Sequence, residues 1–118
     1  MTMMTSTPPA ELIEVSARIG QNIDLVQGAG GNSSAKEGGV LWVKASGTWL
    51  AAARDQPIFL PLDLGAIHRA VAAGADDPIA PALLEGRADR GLRPSIETSL
   101  HALLPHRLVI HVHSVNLI

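Results

Sequence analysis

Leu12, Ile13, Val15, Ile19 and Ile23 recur at close to helical spacing, which predicts a helix over residues 10–23 with one apolar stripe. Pro8 and Pro9 followed by Glu11 suit its start, because proline is tolerated in a first helical turn. Residues 1–9 before it read as a flexible leader. After the helix, residues 27–34 form a glycine-rich loop. Residues 40–45 (VLWVKA) make a short apolar run of strand length, and residues 58–62 make a second. Pro61 lacks the N–H that a ladder needs, which places the second run at a sheet edge or a strand end. Residues 64–73 have the composition of a helix closed by Gly74. Residues 76–91 mix Ala, Pro, Gly and charge, and predict a connection with at most one helical turn. Pro94-Ser95-Ile96-Glu97 opens a further helix with Ser95 as the candidate N-cap, and Pro105 ends it near Leu104. Residues 108–113 predict a last strand.

Composition narrows what such a chain does. At 118 residues there is room for one domain with a hydrophobic core, and 47% hydrophobic residues exclude a disordered chain. Only 3% are aromatic, so the core must pack small and branched aliphatic side chains. A net charge of -2 offers no basic face for nucleic acid. The chain has no cysteine, so any metal must be held by His, Asp or Glu, which also fits a cytoplasmic protein. The first ten residues lack the basic and apolar regions of a signal peptide, and no apolar run approaches the ~20 residues of a membrane span. Residues 115–118 are apolar and follow a buried-looking strand, so the chain is expected to be part of something longer.

Four short segments carry candidate chemistry. On a strand, His111 and His113 point the same way, because side chains alternate faces. Two adjacent imidazoles suit a divalent ion such as zinc, or are simply two histidines on a solvent-facing edge. His68, His101 and His106 have no partner at ligand spacing and read as surface or ordinary helix histidines. The segment GAGGNSS (28–34) can turn tightly and offer N–H groups, an amide and hydroxyls to a phosphate, or be a plain turn. It lacks the Gly-Lys-Ser/Thr of a P-loop. KASGT (44–48) adds a small polar turn after a strand, with Lys44 as a possible counter-charge. Glu97 in PSIE (94–97) either favours a helix dipole or stands as a general base. Trp42 and Trp49 read as packing residues.

Taken in order, GAGGNSS, KASGT, PSIE and HVH resemble the class II aldolase/adducin family, over about residues 28–116. The runs LWVKASGT (41–48) and PSIETSLHALLPH (94–106) resemble its predicted bifunctional aldolase/dehydrogenase branch, in which this region is the first part of a larger protein. The resemblance implies a three-layer α/β/α fold around a mainly antiparallel sheet, here truncated at the C-terminus, with residues 10–118 as an incomplete domain. It implies a zinc-dependent (Zn2+) aldolase-type lyase acting on a sugar phosphate by retro-aldol cleavage through a metal-stabilised enediolate. Asn32, Ser46, Gly47 and Ser95 would bind the substrate phosphate, Glu97 would be the catalytic acid/base, and His111 and His113 would be two of three metal-binding histidines. The family's enzymes are typically homotetramers. Two departures stand out: Ile96 replaces a serine common in the family, and the third histidine lies beyond the end of this chain. A sugar-phosphate 4-epimerase with the same metal chemistry, a non-catalytic adducin-like interaction module and an inactive fragment are the alternatives.

Overall fold

The computed structural model describes residues 7–84, 92–95 and 97–113. Strands β1 (Asn32–Glu37), β2 (Val40–Lys44), β3 (Phe59–Asp63) and β4 (Leu108–His111) form one sheet in the order β3-β2-β1-β4. All neighbouring pairs are antiparallel. Helices α1 (Ala10–Gly20), α2 (Leu64–Ala72) and α3 (Thr98–Leu103) join it, with 3-10 turns at Leu50–Ala52 and Ala80–Ala82. The fold is α/β with a four-stranded antiparallel sheet. Among the described residues, no helix is long and apolar enough to cross a membrane.

Strand β2 is buried along its whole length, and its alternation divides the core. Val40 and Trp42 pack with Leu12 and Ala17 of α1 and with Leu50. Leu41 and Val43 turn the other way and pack with Leu60 and Leu62 of β3, Ile67 of α2 and Ala102 of α3. An apolar side chain at every position of β2 but its last, Lys44, is what a strand covered on both faces requires.

Several expected boundaries move for identifiable reasons. Helix α1 stops at Gly20, short of residue 23. Ile23, which fitted the helical spacing, is 77% exposed. Strand β1 begins at Asn32, inside the segment expected to be loop. Its polar positions are satisfied internally: Ser33 shares a hydrogen bond of 2.6 Å with Ser16, and Ser34 one of 2.6 Å with His101 Nδ1. Strand β3 does lie at a sheet edge, where Pro61 needs no ladder donor. The N-cap of α3 is Glu97, not Ser95. The stretch before it is drawn to the sheet by an Ala45–Pro94 bridge and by Ser46 N–H donating to Arg93 O at 2.7 Å. Strand β4 ends at His111, before the expected residue 113, and the His113 N–H donates to Leu25 O at 2.9 Å instead. Within the expected connection, Ala80–Ala82 form the one helical turn described. Residues 1–6 of the expected leader, residues 85–91 of that connection, Ile96 and residues 114–118 lie outside the described residues.

Candidate functional site

The pairing of β1 with β4 sets Asn32 directly opposite His111. Opposed residues share a face and lie close enough for their side chains to meet a common third group. Gly31 makes this approach possible. It holds φ +76°, and a Cβ there would stand 3.1 Å from Val26 Cγ2 and 3.3 Å from His111 O. The third group is Glu97, at the start of α3. Its Oε1 accepts from Asn32 Nδ2 at 3.3 Å, and its Oε2 pairs with His111 Nδ1. Asn32, fully buried, also donates through Nδ2 to Ser95 Oγ, and its Oδ1 accepts the Ser33 N–H at 2.8 Å. Ser95 Oγ in turn accepts the Glu97 N–H at 3.2 Å. The His113 ring stacks on His111, with centroids 4.8 Å apart and planes 26° apart.

The end of β2 forms the opposite wall. The Ser46–Gly47 turn is tied to the strand-like stretch before Ser95 by the Ser46–Arg93 bond. Beneath it Lys44 donates to Ala29 O at 2.7 Å and to Thr48 O at 2.8 Å. Asn32, Ser46, Gly47, Ser95, Glu97 and His113 thus line one cleft of about 310 Å³, floored by the glycine-rich loop and Lys44. Burial pushes the Lys44 ammonium below its usual pKa, and the Glu97 carboxylate opposes that. Chemically, the cleft combines hydroxyl, amide and backbone groups suited to an oxyanion with a carboxylate and the His113 imidazole, and His111 stacks behind that ring.

The donor types of His111, His113 and Glu97 are ones that zinc accepts. Glu97 on Nδ1 of His111 favours the tautomer whose Nε2 keeps its lone pair, the usual arrangement for a liganding imidazole. The set is nevertheless short. Among the described residues, no group of three or more His, Cys, Asp or Glu side chains converges to hold a metal ion.

The family model of the class II aldolase and adducin N-terminal domain matches residues 10–118. The chain belongs to the class II aldolase and adducin family. Among solved structures, it is similar to the N-terminal class II aldolase domain of a conserved protein from Thermoplasma acidophilum, with 28% identity and a TM-score of 0.71. That match covers 98% of this chain and 59% of the other, so the chain spans less than two thirds of that neighbour's length. No relative among the curated proteins matches.

Within this aldolase/adducin domain, the segments singled out in the sequence come together at one end of the sheet. The isolated histidines do not join them. His68 Nε2 meets Ala102 O at 3.0 Å, and the exposed His106 offers its carbonyl to Lys36 Nζ at 2.6 Å. His101 differs from its expected reading: it is fully buried. Burial pushes its pKa down to about 4; Glu97 acts against the shift, while Lys36 and His111 add to it. The signal for it was faint, a histidine one helical turn beyond Glu97 in a helix whose leucines, Leu100 and Leu103, face outward.

Proposed function

We propose that this domain belongs to a zinc-dependent aldolase-type lyase that cleaves a carbon–carbon bond of a sugar phosphate by a retro-aldol reaction. What supports the reading most is the Glu97 carboxylate, held between Asn32 and His111 at the mouth of a cleft walled by Ser46, Gly47 and Ser95. In this reading Asn32, Ser46, Gly47 and Ser95 bind the substrate phosphate. Their amide, hydroxyl and backbone donors fix one end of the substrate, which sets the distance of the reacting carbon from Glu97. Asn32 donates to the carboxylate and His111 Nδ1 lies against its other oxygen, so the carboxylate is oriented before the substrate arrives. Glu97 then moves a proton to or from the carbon at which the bond breaks. His111 and His113 would hold the zinc ion, with a third ligand from outside the described residues. When bound, zinc supplies Lewis-acid polarisation of the substrate's oxygens. With Ile96 where the family often has serine, the phosphate loses one hydroxyl partner. Residues 10–118 would be the N-terminal, three-layer part of a cytoplasmic homo-oligomer.

The test is turnover of a panel of ketose phosphates by the full-length zinc-loaded protein and its Glu97→Gln variant. Turnover is expected to fall by roughly 10²- to 10⁴-fold, the usual scale of a lost general acid/base, with zinc content unchanged. Equal turnover in the two proteins would remove Glu97 as acid/base. Absence of cleavage for every ketose phosphate would remove the aldolase reading.

A further inference from the structure

A fully buried histidine needs a reason. His101 lies on the inward face of α3, next to the core residue Ala102. Its Nδ1 meets Ser34 Oγ at 2.6 Å, and its Nε2 is buried with no partner among the described residues. A leucine there would bury apolar surface and leave no ring nitrogen unsatisfied. What the imidazole adds is a directed contact with one place on β1, which apolar packing does not specify.

That place bears on the cleft. Asn32 and Ser34 are two apart on β1 and share a face. Glu97 and His101 are four apart at the start of α3 and also share a face, and the His101 N–H donates to Glu97 O at 3.2 Å. Glu97 meets Asn32, and His101 meets Ser34. The spacings match, because two strand residues advance about 6.8 Å and four helical residues about 6 Å. Helix and strand are thus pinned to each other at two points, one helical turn apart.

We infer that His101 is a positioning residue: by its hydrogen bond with Ser34 it fixes where α3 stands along β1, and so places the Glu97 carboxylate between Asn32 and His111. The consequence for turnover rests on the reading of Glu97 as acid/base; the placement itself does not.

The two ties differ in their access to water. The Glu97 side chain borders the cleft and is 29% exposed, so water and substrate compete for it. Ser34 and His101 are both sealed from solvent, where a hydrogen bond is stronger. The sealed tie sets the position, and the open one follows it. Charge fits the same role. Burial holds the pKa of His101 down to about 4, so the ring is neutral at ordinary pH. A charged ring would draw the nearby carboxylate of Glu97 away from Asn32, and a neutral one does not. On the other face of β1, Ser33 meets Ser16 of α1 at 2.6 Å, an equally buried tie that leads away from the cleft.

The experiment reads the tautomer of His111 in the 118-residue chain. Proton–nitrogen correlation spectra are recorded with isotope-labelled histidine, without metal, at about pH 8, where free imidazoles are neutral. The proteins are the wild type, Ser34→Ala, His101→Leu, His101→Asn and the control Ser16→Ala. With Glu97 in place, His111 carries its proton on Nδ1, which faces the carboxylate. The wild type and Ser16→Ala are expected to show that form. Ser34→Ala and His101→Leu should shift His111 toward the Nε2-protonated form that a free imidazole prefers. His101→Asn puts a polar atom at the position of Nδ1 and should recover the wild-type form. Ser34→Ala removes one oxygen only, so it decides the matter if His101→Leu does not fold. A folded Ser34→Ala with the wild-type tautomer, an equal shift in Ser16→Ala, or a wild type already protonated on Nε2 would each overturn the inference. In the full-length zinc-loaded protein, Ser34→Ala should lower kcat by roughly ten-fold to 10²-fold, the scale of a small misplacement, with a lesser change in KM, while Ser16→Ala keeps the wild-type kcat. An unchanged kcat in Ser34→Ala, where Glu97→Gln abolishes turnover, would also overturn it. If Glu97→Gln turns over normally while the tautomer shifts as expected, the acid/base reading fails and the placement stands.

Discussion

His101 shows how much one side chain can depend on the dielectric around it. It is fully buried, and its Nδ1 meets Ser34 Oγ at 2.6 Å. Burial lowers its pKa from 6.5 to about 4, so the folded protein keeps the imidazole neutral. The unfolded chain has no such restriction and takes up a proton below its ordinary value. The unfolded state therefore binds more protons than the folded state between these two values, and stability rises with pH across that window. The contribution is fully present above pH 6.5 and is lost as pH falls toward about 4, a loss on the order of 3 kcal/mol. Urea unfolding at pH 7 and pH 4.5, paired with an NMR titration of the His101 ring, checks this. A ring that titrates near its ordinary value would show that burial does not hold it neutral. The same residue marks a limit of reading a sequence. Helix α3 buries Thr98, His101 and Ala102 and exposes Leu100 and Leu103, the reverse of what hydropathy suggests. Its inward face carries Thr98 and His101 beside Ala102 because it meets Ser34 and begins at Glu97 beside the cleft, and no count of apolar residues conveys that.

At the scale of elements, the parts that could be read were those whose own residues decide their conformation. Strands β2, β3 and β4 are apolar runs of strand length, and helix α2 is a plain apolar-faced helix; each was expected within two residues of where it lies. Strand β1 was not expected, because NSSAKE has no β-branched residue and follows glycines. Its conformation comes from its neighbours: it is paired on both sides, with β2 and with β4. The end of α1 is likewise set from outside. A Cβ at Gly20 would lie 2.2 Å from Ala51 N and 2.6 Å from Leu50 C, so the last helical residue touches the 3-10 turn at Leu50–Ala52 through backbone alone. Gly20→Ala gains helix propensity but forces two backbone segments apart. The clash should outweigh the gain, with a net destabilisation of about 2 kcal/mol or more. Chemical denaturation of the variant measures it, and unchanged or increased stability would mean that the turn can move away at little cost.

For the molecule as a whole, topology explains why segments far apart in sequence meet. In an antiparallel sheet, the start of β1 lies at the same end as the finishes of β2 and β4. Asn32, Lys44 and His111 occupy those three places. The Ala45–Pro94 bridge brings Ser95 and Glu97 to the same end. The order of the motifs could be read from the sequence, but the pairing that gathers them could not. The hydrogen bonds of Lys44 to two loops were equally out of reach, since they depend on where Ala29 and Thr48 fall in space. This gathering also bounds what the chain can do with a metal. It provides two imidazoles, stacked at 4.8 Å, with Glu97 already paired to one of them. Catalytic zinc sites usually have three protein ligands and one open position. Recruiting Glu97 as the third ligand would take it from Asn32 and from the proton-transfer role proposed for it. The 118-residue chain alone is therefore expected to bind zinc weakly and to show little or no aldolase activity. Zinc titration by calorimetry on this chain and on its His111→Ala variant measures the first expectation. Tight stoichiometric uptake that the substitution abolishes would overturn it, and would mean that a further ligand is supplied within the chain or by a second copy of it.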